Sequence, residues 1–111
     1  MLEFYKRSDG HCPTQEFLDN LQQADLDKVI SWLELLEERG HLLHRPFTDT
    51  AQGKIKYLRV RKGTMVYRIF YFFDRDKIIT VNGYIKKEGR LDQAQIDQAE
   101  RLRIEYLNRK T

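Results

Sequence analysis

Three arginines, Arg59, Arg61 and Arg68, lie in a stretch whose side chains alternate with a period of two. A guanidinium is planar and permanently charged, and its fork of N–H donors can hold two phosphate oxygens at once. Between Arg61 and Arg68, Gly63-Thr64 fits a two-residue hairpin loop, with glycine at the first central position as a type II′ turn requires. That turn pairs Lys62 with Met65, Arg61 with Val66 and Arg59 with Arg68. Alternation puts Arg59 and Arg61 on one face with Tyr57 and Ile55. Arg59 and Arg68 then become direct cross-strand neighbours. Like charges so placed repel, at about 0.2–1 kcal/mol, and folding alone gives no reason for them. A second hairpin, closed by Arg75-Asp76, pairs Asp74 with Lys77 and Arg68 with Gly83. Glycine there predicts open space beside Arg68. The expected site is a flat pocket floored by Arg59, Arg61 and Arg68, with a gap at Gly83 that could receive a phosphate.

Each of these residues also has a plainer reading. Arg61 could serve a surface salt bridge. Arg68 stands in an otherwise apolar strand, and a buried arginine needs a partner. The neighbouring third strand offers no acid, so Asp92, Asp97 and Glu100 of the last helix are the candidates to cover it. Lys54 and Lys56 lead into the basic strand and could contact backbone phosphates. Lys86, Lys87 and Arg90 follow the last strand and could close the groove. Tyr57, Tyr67, Tyr71 and Tyr84 offer rings on which unpaired bases could stack. Most of these rings are expected in the core; Tyr84, just before the lysine pair, is retained as a site residue. His41 and His44 have no nearby Cys or acid, so no metal site is expected. Cys12 has no adjacent base, and no phosphate-binding glycine-rich loop occurs. No cofactor is expected.

The elements that must position these groups follow from periodicity. Leu2 to Lys6 reads as a short strand, ended by Ser8-Asp9-Gly10. Thr14 looks like the cap of a first helix carrying Phe17, Leu18 and Leu21. Asp25 is a second cap candidate, with Leu26, Val29, Ile30, Leu33 and Leu36 forming an apolar stripe and Gly40 as terminator. Their short connection implies a helical hairpin. Residues 41–53 read as a loop. Ile55 to Arg61, Met65 to Asp74 and Lys77 to Ile85 are three strands, and the middle one is apolar on both faces, as a covered central strand must be. Leu91 onward returns to helical spacing, with Ile96, Ala99, Leu102 and Tyr106 on one side. The prediction is one α+β domain over residues 1–111, in the order β-α-α-β-β-β-α. An antiparallel sheet of about four strands carries an N-terminal helical hairpin and a C-terminal helix.

The totals set the bounds. With 111 residues and 41% hydrophobic content, one core is affordable and wholesale disorder is excluded. The net charge of +3 conceals an uneven distribution. Residues 1–53 hold 5 basic and 10 acidic side chains, residues 54–90 hold 11 and 3, and residues 91–111 hold 4 of each. So basic a middle third suggests a polyanionic partner, or else a solvated sheet face. No apolar run reaches the roughly 20 residues that span a bilayer. The first residues lack the charged-then-apolar order of a signal peptide, and the single cysteine forms no internal disulfide. A cytoplasmic setting, without a membrane, is the expectation.

Three segments together resemble a known family. Lys56-Tyr57-Leu58-Arg59-Val60-Arg61, Tyr67-Arg68-Ile69-Phe70-Tyr71-Phe72 and Asn82-Gly83-Tyr84-Ile85-Lys86-Lys87 are similar to the phage-derived Gp49-like family, which includes HigB-type toxins of the RelE/ParE superfamily. Glu16-Phe17-Leu18, Leu33 to Gly40 and Ile96-Asp97-Gln98-Ala99 extend the likeness over almost the whole chain. The resemblance implies a toxin held inactive by a cognate antitoxin, often a helix-turn-helix protein. It also implies a ribosome-dependent endoribonuclease that cuts mRNA by making the RNA's own 2′-OH attack the adjacent phosphate. By position, Arg68 resembles the arginine that binds the scissile phosphate, and Arg59 a basic residue that stabilises the developing charge. Lys86 and Lys87 fall where relatives place further cations, one of which protonates the leaving 5′-oxygen. Tyr84 is the remaining catalytic candidate; Lys54, Lys56, Arg61, Lys86 and Arg90 are candidates for RNA binding. Asn82 departs from the family, since many relatives carry histidine there and asparagine is no acid or base near neutral pH. That leaves two alternatives open: a non-enzymatic gyrase-poisoning toxin of the ParE kind, and a decayed toxin that only binds.

Overall fold

The structure, a computed structural model, describes residues 1–87 and 89–110, with Lys87 described by its backbone alone. Strand β1 (Leu2–Phe4) leads into helices α1 (Pro13–Asp19) and α2 (Gln23–Arg39). A single 3₁₀ turn, Gly40–Leu42, connects to β2 (Thr48–Gln52). Strands β3 (Ile55–Lys62), β4 (Met65–Asp74) and β5 (Lys77–Lys87) follow, and helix α3 (Gln93–Lys110) closes the chain. The α+β class and the predicted order hold, with β2 added. The sheet has five strands in the order β1-β5-β4-β3-β2. All pairings are antiparallel except β1 with β5, which is parallel. The helical hairpin carries the chain across one face, from the β1 edge to the β2 edge, and such a crossover makes a parallel pair possible.

β4 is apolar on both sides because both sides are covered. Tyr67, Ile69 and Tyr71 pack with Leu18, Val29, Leu33 and Leu36 of the helical hairpin. Phe70 and Phe72 pack with Ile96, Ala99 and Leu102 of α3. Fully burying a side chain of this size contributes about 1.5–3 kcal/mol over leaving it exposed. The centre of the sheet is therefore where stability concentrates.

Three local expectations change. Helix α1 begins at Pro13, with Cys12 as its uncapped N-cap. Proline suits the first helical position because its missing N–H would be unsatisfied there anyway. It displaces Thr14 inward, where that side chain is buried and its hydroxyl has no hydrogen-bond partner among the described residues. Asp25 lies in the first turn of α2 rather than at its cap, and pairs with Lys62 at the end of β3. The stretch 41–53, read as loop, contains β2. Its Thr-Asp-Thr-Ala-Gln sequence is short and polar, as suits an edge strand, and its register slips between Thr50 and Gln52. Gly40 does end α2, at φ +54°, a conformation that favours glycine. Among the described residues no helix is long and apolar enough to cross a membrane.

Candidate functional site

The turn at Gly63, φ +62°, sets the register that its sequence implies. Lys62 faces Met65, Arg61 faces Val66 and Arg59 faces Arg68. The pairing of β4 with β5 differs from expectation. Asp74 faces Lys77 as predicted, but Tyr71 faces Thr80 and Phe70 faces Asn82, leaving Val81 as an extra residue. Such a bulge shifts all later pairs by one. Arg68 therefore faces Tyr84, and Gly83 faces Ile69.

This corrects the expected gap. Gly83 opens no space beside Arg68, because it turns to the helical-hairpin face. A Cβ there would lie 2.9 Å from Phe17 Cδ2 and 3.1 Å from the Arg68 carbonyl oxygen. The glycine permits close packing of α1 on the sheet.

The face toward α3 carries two lateral rows across β3, β4 and β5. The first is Arg59, Arg68, Tyr84; the next is Arg61, Val66, Lys86. Cross-strand Cβ atoms lie about 4.5–5.5 Å apart, so the three expected arginines and Lys86 share one patch. Arg61 and Lys86 are exposed, Arg59 is half-buried and Arg68 is only 3% exposed. The Arg68 guanidinium lies 5.8 Å from the Tyr84 ring centroid, and its Nη2 donates to the Gly89 carbonyl at 3.1 Å. Its Nε and Nη1 are buried with no hydrogen-bond partner among the described residues.

The acids expected to cover Arg68 are engaged elsewhere. Asp92 accepts from the Ala94 N–H and caps α3. Asp97 accepts from Gln93 Nε2, and Glu100 pairs with Arg103. A buried cation with no carboxylate partner among the described residues is expensive for the fold. Its unpartnered Nε and Nη1 leave donors that an anion can accept from.

Tyr84 is held from several sides. Its ring stacks on Phe70, with centroids 5.8 Å apart, and its hydroxyl accepts the Asp92 N–H at 3.0 Å. The same side chain thus floors the arginine row and fixes the start of α3. Asn82 is buried against α3; its Nδ2 donates to the Gln95 carbonyl at 3.5 Å, and its Oδ1 is unpartnered among the described residues.

Other predicted residues lie apart. Lys54 is exposed at the β2–β3 turn. Lys56 points to the opposite face and donates to Thr50 Oγ1 at 3.2 Å. At about 3.3 Å per residue it stands roughly 10 Å along β3 from Arg59. Tyr67 and Tyr71 are buried on that opposite face, where burial pushes the Tyr71 hydroxyl up to about 12. Tyr57 is half-buried beside Phe70. Arg90 is exposed just ahead of α3. The Lys87 side chain lies outside the described residues. Among the described residues, no three His, Cys, Asp or Glu side chains group closely enough to hold a metal ion.

The fold is thus a mixed sheet with a helical hairpin on one face, a C-terminal helix on the other and a cationic row at one end. The model of the phage-derived Gp49-like protein family matches residues 16–103. The chain belongs to that family, a RelE/ParE-like toxin family, which points to a toxin of a toxin–antitoxin system. No curated protein matches the chain.

Proposed function

We propose that the protein is a type II toxin that cuts mRNA on the ribosome and is held in check by a cognate antitoxin. One observation carries this reading: Arg68, buried and with no carboxylate partner among the described residues, sits directly across from a second arginine on the same face. That arrangement weakens the fold and suits a phosphodiester.

In the proposed reaction, Arg68 holds the non-bridging oxygens of the scissile phosphate with Nε, which has no partner among the described residues, and with Nη2, which gives up its Gly89 carbonyl contact. The RNA's 2′-oxygen attacks phosphorus as its proton passes to solvent, the bond to the 5′-oxygen breaks, and the products are a 2′,3′-cyclic phosphate and a 5′-hydroxyl. Arg59 stabilises the added charge on the pentacoordinate phosphorus. Lys86 or Lys87 returns a proton to the leaving oxygen. Tyr84 positions both the Arg68 guanidinium and the start of α3. Asn82, buried under α3, takes no part in proton transfer. Lys54, Lys56, Arg61 and Arg90 contribute the sequence-independent attraction to the backbone.

The test is induced expression followed by mapping of mRNA ends. Growth arrest with transcripts cut inside codons is the expected result. Growth arrest with intact mRNA overturns the endonuclease reading, and DNA-damage signalling without cleavage selects a gyrase target instead.

A further inference from the structure

Beyond the arginine row, the sheet edge carries a second cationic feature. β2 pairs with β3 only as far as Thr48–Leu58, so β3 has an open edge beyond Arg59. Against that edge lies a cleft of about 170 Å³ lined by Lys28, Trp32, Pro46, Phe47, Arg59 and Arg61. Trp32 and Phe47 are stacked in it, with ring centroids 5.0 Å apart and planes at 28°. Phe47 is 39% exposed. A stacked aromatic pair with one ring left in water, ringed by cations, combines a π-surface with positive charge. That combination binds unpaired bases without regard to sequence.

Three of the residues that line the cleft, Lys28, Arg59 and Arg61, are cationic. Asp25 is engaged by Lys62, and Asp49 by Arg45. Lys28 Nζ donates one bond to the Arg61 carbonyl at 2.7 Å, which keeps the ammonium at the lip of the cleft with two further N–H groups. An adjoining cleft of about 240 Å³ shares Pro46 and Arg59 and adds Tyr57. Arg59 thus borders both clefts and also stands in the arginine row.

We infer that the Trp32–Phe47 cleft is a second nucleotide subsite. It stacks an unpaired base of single-stranded RNA on Phe47 and steadies the adjoining phosphate with Lys28 and Arg61. The inference rests on the reading of the arginine row as an RNA site, and extends it around the β3 edge to a neighbouring nucleotide.

Trp32 is the only tryptophan of the chain, so its emission reports on this cleft alone. The probe is a uridine hexanucleotide with 2′-O-methyl groups, which cannot be cut by its own 2′-oxygen. Titration into wild-type protein should quench Trp32 saturably. Phe47→Ala should weaken binding on the order of tenfold, and Phe47→Tyr, which keeps the ring, should restore it. Lys28→Ala should lower the slope of log affinity against log salt by about 0.7. Unchanged Trp32 emission, or Phe47→Ala binding like wild type, overturns the subsite. Cleavage assays on the same proteins separate the two readings. If wild type cuts mRNA while Phe47→Ala binds normally, the subsite alone is wrong. If Trp32 is quenched and no mRNA is cut, the endonuclease reading alone is wrong.

Discussion

The face of the sheet beneath α3 has two ends built on opposite terms. Where α3 finishes, polar groups meet complementary partners. Tyr5 Oη donates to Glu105 and accepts from Arg109, Arg7 pairs with Glu105, and Asp74 accepts from both Tyr106 and Lys110. Where α3 begins, Arg59 faces Arg68, and Arg68 keeps two buried nitrogens, Nε and Nη1, without partners among the described residues. Both ends belong to one helix on one sheet, so packing does not explain the difference. The first end secures the C-terminal helix. The second leaves donors unsatisfied, and a ligand can satisfy them.

Substitutions can break this contrast in graded steps. Between the two ends, Phe70→Ala should be the most damaging, at about 3–5 kcal/mol, because it empties the core shared by both; urea unfolding measures it. Gly83→Ala should cost about 1–3 kcal/mol, since the new methyl meets Phe17 Cδ2 at 2.9 Å. A wild-type unfolding midpoint for that variant would refute the packing assigned to glycine. Tyr84→Phe keeps the ring and loses the acceptor for the Asp92 N–H. It should cost about 1 kcal/mol, and hydrogen exchange should quicken first at the start of α3.

The smallest effect is the pH dependence of the paired end. Hydrogen bonds from Tyr5 and Arg7 hold Glu105 below its ordinary 4.5, and those from Lys110 and Tyr106 hold Asp74 below 3.8. Folded values below unfolded ones give stability that is present above about pH 4.5 and is lost as pH falls through the folded values. Melting temperature should therefore stay level from neutral pH to about 5 and then decline. Glu105→Gln should flatten that decline.

The cationic row was legible in sequence because Gly63-Thr64 allows only a tight turn, and a two-residue loop sets the register. From there Arg59 had to meet Arg68. The partner on the other side was not legible, because the bulge at Val81 has no glycine or proline to announce it. The one-residue shift exchanged Gly83 for Tyr84 beside Arg68. β2 escaped notice because a polar edge strand lacks apolar alternation. The Trp32–Phe47 pair joins a helix to a loop, and no spacing within either segment reveals it. Asp92, Asp97 and Glu100 were reasonable partners for Arg68 by position, but local bonds along α3 claim each of them.

The most direct test compares purified wild type with purified Arg68→Met on ribosomes programmed with a defined mRNA. Methionine fills similar volume without charge, so the fold should be as stable or more so, by up to about 4 kcal/mol. Cleavage should fall at least about 100-fold. Cleavage at the wild-type rate by the folded variant would contradict the role assigned to Arg68.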